Sequence, residues 1–292
     1  MLEEIRDCPI CGSDKNEKEL ICKDYSISRE EFHIVRCTNC QFIFTTPRPS
    51  ENYIGKYYQS DAYISHQDNN KGLLNNVYYL IKQKNLKNKL NLINELYQRG
   101  QILDIGCGTG SFLHICKEDG WNIRGVEPDE NARKKAISKT QSQISADLIS
   151  IEGEKSFDII TMWHVLEHIH KLNETIEKIY TLLKESGKLV IAVPNVESYD
   201  AKVFKQYWAA YDIPRHLYHF SKETLQKLMQ KHGLKLEKVL PMPYDAYYIS
   251  LLSLKNKFNK MDYLNAFAIG FKSNLRAKST TNHSSLTYIF SK

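Results

Sequence analysis

Beyond residue 100, short apolar runs alternate with segments whose apolar residues recur every three or four positions. Short apolar runs are typical of buried strands, and the longer spacing is typical of amphipathic helices. The predicted strands, in chain order, are QILDIG, NIRGVE, SQISAD, FDIITM, KLVIAVPN, LKLEKVLPM and SLTYIFSK. The predicted helices between them are SFLHICKEDG, PDENARKKAISK, HVLEHI followed by LNETIEKIYTLLKESG, and SKETLQKLMQKHG. This alternation predicts an α/β fold in which helices cover both faces of a parallel sheet.

Composition divides the chain into three zones. Residues 1–49 contain two pairs of cysteines and end at the turn-forming stretch TTPRPS. Residues 50–98 are rich in Tyr, Asn and Lys, and the spacing in GLLNNVYYLIKQKNLKNKLNLINEL predicts one long or broken amphipathic helix. We interpret this second zone as a helical linker or lid. Residues 99–292 then form the α/β domain, with an insertion at about 244–285 that we expect to be helical and to lie on the surface or over a substrate.

The bulk composition is that of a globular protein, with 42% hydrophobic and 25% charged residues. No run of about 18 apolar residues is present, so no membrane span is predicted. The first residues, MLEEIRDCPIC, lack the apolar core of a secretory signal, which predicts a cytoplasmic protein with reduced or metal-bound cysteines. Residues 251–292 hold seven basic residues and one acid, and we interpret them as a solvated basic face rather than a docking site for an anionic partner.

Four cysteines have the spacing of a metal site. Cys8 and Cys11 form one C-x2-C pair, and Cys37 and Cys40 form another. Four thiolates in two such pairs can close a tetrahedral Zn²⁺ site, and a site whose four positions are all sulfur is structural rather than catalytic. The first zone is therefore predicted to be a small zinc-ribbon-like unit. Zinc ribbons can also bind nucleic acid, and that alternative stays open.

A glycine-rich turn follows the first predicted strand of the α/β domain. Gly106, Gly108 and Gly110 occur in GCGTG, but a dinucleotide fingerprint would place its third glycine at position 111, which is Ser111. The turn therefore favours a ligand without a pyrophosphate. Glu127 ends the next strand, where a carboxylate can accept both hydroxyls of a ribose.

Four segments together, LDIGCGTGSF, GVEPD, FDIITMWHVLEHI and GKLVIAVPN, resemble the class I S-adenosylmethionine-dependent methyltransferases. The resemblance covers about residues 100–240, and residues from 286 onward if the last strand is the antiparallel strand of that family. It implies a Rossmann-like sheet of seven strands, with the cofactor above the carboxyl ends of the strands. A cysteine unit at the N-terminus resembles that of a subset that acts on sugars and other small molecules.

The resemblance also implies which residues contact S-adenosylmethionine. Those at the methionine and ribose end would lie on the first two strands and in the glycine turn: Asp104, Gly106, Cys107, Gly108, Gly110 and Glu127. Those at the adenine and in the cavity would follow the second, third and fourth strands: Pro128, Asp147, Leu148, Met162, Trp163 and His164. In addition, Tyr63 and His66 could fold over the cofactor as a lid.

Candidate catalytic residues occur in YDIPRHLYHFS, which resembles a loop of the same subset. His216 could be a general base and Arg215 could pair with an anionic acceptor, although both could instead only hydrogen-bond their own loop. His164 is a weaker candidate. It begins the string HVLEH, and H-x-x-E-H is also a motif of one class of zinc peptidases. Because the string follows a predicted strand beside the glycine turn, we interpret it as a wall of the methyl-donor pocket.

The sequence thus predicts an enzyme that transfers a methyl group in line from S-adenosylmethionine to a small-molecule acceptor. The alternative is methylation of RNA or protein, with the zinc unit and the basic C-terminal segment as docking elements. No NPPY-like string follows the fourth strand, and no aromatic residues interleave with basic ones, so nucleic acid is the less favoured partner. A binding module without activity is disfavoured by the intact glycine turn and its acid, and an NAD-dependent enzyme is disfavoured by the glycine spacing.

Overall fold

The computed structural model describes residues 1–58 and 73–292, and for residues 73–80 and 82 it describes the backbone alone. Tyr63 and His66, the predicted lid residues, lie outside the described residues. The strands are β1 (Leu2–Glu3), β2 (Asn16–Lys23), β3 (Glu31–Cys37), β4 (Ile43–Thr45), β5 (Arg48–Pro49), β6 (Gln101–Ile105), β7 (Asn122–Val126), β8 (Ile144–Ser145), β9 (Phe157–Trp163), β10 (Leu183–Pro194), β11 (Tyr218–His219), β12 (Lys235–Pro241) and β13 (Ser285–Ser291). The α-helices are α1 (Leu73–Leu96), α2 (Ser111–Glu118), α3 (Glu130–Thr140), α4 (Leu172–Leu182), α5 (Tyr199–Phe204), α6 (Lys222–Lys231), α7 (Asp245–Phe258) and α8 (Tyr263–Thr280).

Seven strands form the central sheet in the order β12-β13-β10-β9-β6-β7-β8. Strand β13 is antiparallel to both of its neighbours, and the other strand pairs are parallel. The chain runs outward from β6 through β7 to β8, and then returns to the other side of β6 with β9. In open α/β sheets, ligands bind where the strand order reverses, at the carboxyl ends of the strands. The predicted fold class is confirmed, and it directs attention to the ends of β6, β7 and β9.

The central strands are apolar along their whole length because both faces of the sheet are covered. In β9, all residues but the last are buried, and in β10 the buried run extends from Leu189 to Pro194. The main hydrophobic core contains these strands together with the inward faces of α4 and α6. A separate cluster packs Ile93 of α1 and Phe112 of α2 against Ile102 and Ile159 of the sheet.

Two predicted helices are shorter in the structure. The helix predicted to extend through Gly187 ends at Leu182, because Leu183 already pairs with Phe157 in the sheet. The predicted helix over HVLEHI is reduced to a 3₁₀ turn at Leu166–His168. Sheet pairing and burial override the local helical preference in both places.

The cysteine-containing N-terminal unit is joined to the α/β domain. Strands β2, β3 and β4 form an antiparallel sheet, and β11, which follows α5, pairs with β4 as its fourth strand. Phe42 and Phe44 belong to the same hydrophobic core as Ile105 and Val126. The predicted boundary at residue 49 stays a prediction, but the two parts pack as one core.

Helices α7 and α8 occupy the segment between β12 and β13, where a helical insertion is predicted. They pack on each other, with the buried residues Ala266, Gly270, Ser273 and Ala277 on one face of α8. At Gly270 a Cβ atom would lie 2.9 Å from the backbone of Tyr247, so only glycine permits this close approach. Within the described part of the chain, no helix is long and apolar enough to cross a membrane.

Candidate functional site

The glycine turn adopts a backbone that is open on one side. Gly106, Gly108 and Gly110 all have positive φ, at 70°, 55° and 75°, a region that favours glycine. At Gly106 a Cβ atom would lie 2.5 Å from Cγ2 of Val165, so this glycine also allows β9 and its extension to pack closely. At Gly108 a Cβ atom would meet nothing within 4 Å. The open side of the turn is therefore at Gly108, where a ligand can approach the main chain.

Glu127 is fixed beside this open side. Its Oε2 accepts a hydrogen bond from the Gly108 N–H at 2.8 Å, and its Oε1 accepts one from the Asp129 N–H at 2.9 Å. Burial raises the pKa of Glu127, and these two N–H donors oppose that rise. Each carboxylate oxygen keeps a further lone pair, which suits a ligand with two adjacent hydroxyls. Pro128, the next residue, is exposed beside it.

Asp104 lies at the end of β6 and is almost completely buried. The Thr161 hydroxyl on the neighbouring strand donates to its Oδ1 at 2.6 Å. Burial raises the pKa of Asp104 to about 7, against the lowering effects of Thr161 and of the ammonium of Lys89. Lys89, from α1, has its Nζ 4.4 Å from the centre of the Trp163 ring. Neither Thr161 nor Lys89 is among the residues predicted from the sequence. Pairing of β6 with β9 places Thr161 opposite Asp104, whereas no local pattern marks Lys89.

The remaining predicted cofactor residues lie around this turn at different depths. Met162 and Cys107 are buried, Leu148 is partly buried, and Asp147 is exposed with its Oδ1 accepting from the Ser150 N–H at 2.7 Å. Trp163 Nε1 is buried without a hydrogen-bond partner among the described residues. A buried ring N–H without an acceptor is uncommon in folded proteins, and this one lies beside Phe112 at the end of β9.

His164 stands where β9 ends. Its φ of 57° turns the chain sharply, so His164 and His168 are not placed on one face of a helix. Its Nε2 lies 3.3 Å from Oδ2 of Asp245 and its Nδ1 lies 3.5 Å from Oε1 of Glu167. Burial lowers the pKa of His164, but the two carboxylates outweigh that effect and raise this pKa to about 9. Asp245 begins α7, so the helical insertion contacts the end of β9 at His164.

Arg215 and His216 are adjacent in sequence but point to different partners. The Arg215 side chain is buried, forms ion pairs with Asp24 at 3.0 Å and with Asp212 at 2.6 Å, and donates to the Tyr57 carbonyl. These contacts tie the loop to the N-terminal unit, while the predicted pairing with an acceptor stays a prediction. His216 instead faces the HVLEH segment, and its ring centre lies 4.5 Å from that of His168.

The four predicted zinc ligands converge in the N-terminal unit. The Sγ atoms of Cys8 and Cys40 are 3.4 Å apart, those of Cys11 and Cys37 are 3.6 Å apart, and all four lie within 4.8 Å of one another. A tetrahedral site with Zn–S bonds of about 2.3 Å requires sulfur separations of about 3.8 Å. Cys22, Cys107 and Cys116 lie outside this cluster. The four thiols therefore fit a zinc ion without rearrangement of the backbone.

Comparison with known proteins identifies the family. The methyltransferase domain family matches residues 79–239, which is more than half of the 292-residue chain. The human mitochondrial ubiquinone biosynthesis O-methyltransferase is 26% identical over 164 residues, which cover 50% of this chain and 44% of that protein. The ubiquinone biosynthesis O-methyltransferase of Pseudomonas aeruginosa (strain UCBPP-PA14) is 23% identical over 159 residues, which cover 50% of this chain and 68% of that protein. The chain spans between 44% and 50% of the length of three curated relatives.

Among solved structures, magnesium protoporphyrin IX methyltransferase from Synechocystis PCC 6803, with bound S-adenosylhomocysteine, has a similar fold. The TM-score is 0.54 at 14% identity, over 82% of this chain and 99% of that one. The seven-stranded sheet, the glycine turn and the acid at the end of β7 define the class I S-adenosylmethionine-dependent methyltransferases. This chain belongs to the methyltransferase domain family.

Proposed function

We propose that this protein transfers the methyl group of S-adenosylmethionine to a small-molecule acceptor. The observation that carries the proposal is the pairing of the open Gly108 backbone with the Glu127 carboxylate, which is bonded to the Gly108 N–H at 2.8 Å. This arrangement suits a ligand with a ribose and no pyrophosphate. Asp104, Trp163 and Lys89 would line the methionine end of the same cavity, and Asp147 and Leu148 its adenine end.

The protein itself contributes little covalent chemistry to this reaction. The cofactor carries the activated methyl group, which passes to the acceptor while the sulfur keeps the bonding electron pair. The protein aligns acceptor, methyl and sulfur, and it excludes water. A base is needed only when the acceptor atom carries a proton that must leave. Of the predicted catalytic residues, His164 has a raised pKa of about 9 and would be a cation near neutral pH, so it suits charge pairing better than proton abstraction.

The acceptor class is supported by the relatives and by the cavity. Relatives with the same domain are named for ubiquinone biosynthesis and for magnesium protoporphyrin IX, which are small molecules. On this chain, Asp245 of the insertion helix α7 contacts His164 at the end of β9, and a helix at this position would limit the size of the acceptor. Methylation of RNA or protein, with the cysteine unit as a docking element, stays an alternative prediction. That unit shares its core with the α/β domain, which favours a structural role for it.

Ligand binding tests the proposal directly. Isothermal titration with S-adenosylhomocysteine should show one site per chain, whereas NADH should give no heat. A panel of phenols, sugars and carboxylates with S-adenosylmethionine, followed by coupled detection of homocysteine, should then reveal the acceptor. Absence of S-adenosylhomocysteine binding, or equal binding of NADH, would overturn the proposal.

We further propose that Cys8, Cys11, Cys37 and Cys40 bind a structural Zn²⁺ ion. All four ligand positions would be filled by thiolate, so the ion supplies folding energy and no open position for chemistry. The sulfur separations given above support it.

A further inference from the structure

A second group of side chains of the types that bind metals is separate from the cysteine cluster. Glu167, His168 and His216 each place one ligand atom within 4.8 Å of the other two. Glu167 and His168 are on the 3₁₀ turn after β9, and His216 comes from the loop before β11. The Leu217 N–H donates to the Glu167 carbonyl at 2.7 Å, which holds the two segments together.

Glu167 is a buried carboxylate that lacks a hydrogen bond. Its side chain is 1% exposed, and neither Oε1 nor Oε2 has a hydrogen-bond partner in the described part of the chain. His164 Nδ1 is 3.5 Å from Oε1, at the limit of a hydrogen bond. The imidazolium of His164 offsets part of this charge, but both carboxylate oxygens keep lone pairs that an ion, a water or a partner normally satisfies in buried groups.

Each histidine has its Nδ1 beside a backbone carbonyl. Nδ1 of His168 lies 3.1 Å from the Arg215 carbonyl and 2.9 Å from the Tyr58 hydroxyl, and Nδ1 of His216 lies 2.8 Å from the Ala210 carbonyl. A carbonyl oxygen can only accept, so Nδ1 of His216 carries the proton and its Nε2 keeps a lone pair; His168 has the same tautomer when its Nδ1 donates to the Arg215 carbonyl. Metal-binding histidines are typically oriented in this way, by donation of the second ring N–H to a backbone carbonyl or carboxylate.

We propose that Glu167, His168 and His216 bind a divalent transition-metal ion. Two imidazole nitrogens and one carboxylate suit first-row ions such as Mn²⁺, Fe²⁺ and Zn²⁺, and three protein ligands leave positions open for other molecules. Adjacent ligands of such an ion are separated by about 3.0–3.4 Å, so ligand atoms that lie up to 4.8 Å apart would move toward the ion when it binds. This site differs from the peptidase use of H-x-x-E-H, in which both histidines of one helix bind zinc.

The position of the ion gives it a role that rests on the proposed function. Segment 163–168 runs from the wall of the cofactor cavity to the cluster, and Val165 packs against Gly106 of the glycine turn. A hydroxyl of the acceptor that bound to the open positions would have a lowered pKa, and its proton would pass to solvent before the oxygen accepts the methyl group. His216 is then a metal ligand and not the general base.

Manganese titration of the full-length protein tests the site, because Mn²⁺ favours nitrogen and oxygen ligands over the thiolates of the cysteine unit. Free Mn²⁺ is followed by electron paramagnetic resonance, and total metal in the purified protein by mass spectrometry. We expect one Mn²⁺ per chain, or a second metal equivalent beyond the zinc of the cysteines. Glu167→Gln and His216→Asn should each weaken this binding at least tenfold; the asparagine amide can still donate to the Ala210 carbonyl.

The matched control is His170→Gln. His170 lies on the same segment, and its Nε2 donates to the Pro49 carbonyl. This variant should bind Mn²⁺ like the unchanged protein. The inference is overturned if neither Mn²⁺ binding nor a second metal equivalent is found, or if Glu167→Gln and His216→Asn bind Mn²⁺ unchanged. Titration with S-adenosylhomocysteine on the same samples separates the outcomes: retained binding of that ligand without metal refutes the metal site alone, and its loss in the unchanged protein refutes the proposed function.

Discussion

The cysteine cluster and the glycine turn both form where the chain reverses. The first brings side chains together, whereas the second exposes the backbone. At the cysteines, side chains converge from two turns until four sulfurs lie within 4.8 Å, and three of the four residues are buried. At the glycine turn, three glycines have no side chain to cover the backbone, and the main chain at Gly108 is open to a ligand. A site that fills all of its own positions can only hold the fold together, whereas a site that leaves positions open can take a ligand and release it.

Arg215 connects the N-terminal unit to the loop that carries His216. Its guanidinium joins Asp24 of the N-terminal unit to Asp212 of the loop that carries His216. A change in the cysteine unit can therefore reach the cavity through a buried ion pair as well as through the shared core. The comparison predicts that variants of the cysteine unit and of Arg215 will alter stability, while variants of the glycine turn will alter binding.

The largest effect is expected for Cys37→Ser. Loss of one thiolate should abolish zinc binding and lower the free energy of unfolding by at least about 4 kcal/mol, since a structural zinc site contributes much of the folding energy of a small unit. Zinc content and urea unfolding measure the two effects. Cys22→Ala is the control, because Cys22 is buried outside the cluster and its variant should keep the metal. Full zinc occupancy in Cys37→Ser would refute the cysteine site.

The second-largest effect is expected for Arg215→Met. This variant should lower the free energy of unfolding by about 3–5 kcal/mol, because Asp24 would be left buried without its cationic partner. Adding Asp24→Asn to this variant should recover part of the loss in urea unfolding. Should Arg215→Met instead keep its stability and lose only methyl transfer, the side chain would be an acceptor-binding residue and the structural role would be wrong.

Glu127→Ala should weaken S-adenosylhomocysteine binding about 100-fold, or about 3 kcal/mol, because a carboxylate that accepts two hydroxyls is removed. Its effect on urea unfolding should be smaller than that of Arg215→Met. Glu130→Gln serves as the control, since Glu130 is exposed on α3 and pairs with Lys134. Equal binding by Glu127→Ala and the unchanged protein would remove Glu127 from the cofactor site.

The smallest effect concerns pH. Burial raises the pKa of Asp104 to about 7, so the folded protein keeps a proton that the unfolded chain releases between about pH 4 and pH 7. Stability should therefore fall as pH rises through this window, and Asp104→Asn should remove the fall. We expect Asp104→Asn to be more stable than the unchanged protein at pH 8 and about equally stable at pH 4. Parallel pH profiles of the two proteins in urea unfolding would contradict the raised pKa.

Local patterns in the sequence determined the strands of the central sheet, the glycine turn and the cysteine pairs. Apolar runs predicted the seven strands of the central sheet, and the spacing of the glycines and of Glu127 predicted the open site. The two C-x2-C pairs predicted a cluster of four sulfurs that the structure brings together. Each of these features depends on residues close in the chain, whose conformational limits and periodicity act over a few positions.

Contacts between distant residues were decided by the tertiary structure. Arg215 bonds to Asp24, which lies 191 positions earlier in the chain. Lys89, on a helix that precedes the central sheet, interacts electrostatically with Asp104. Sheet pairing replaced the predicted helix over HVLEH with a sharp turn at His164, which brought Glu167 and His168 against His216, 48 positions further along the chain than His168. The sequence showed H-x-x-E-H as a possible metal motif, but only the packing of two loops shows which of its side chains converge. Such convergence depends on burial of the whole core, which no local pattern encodes.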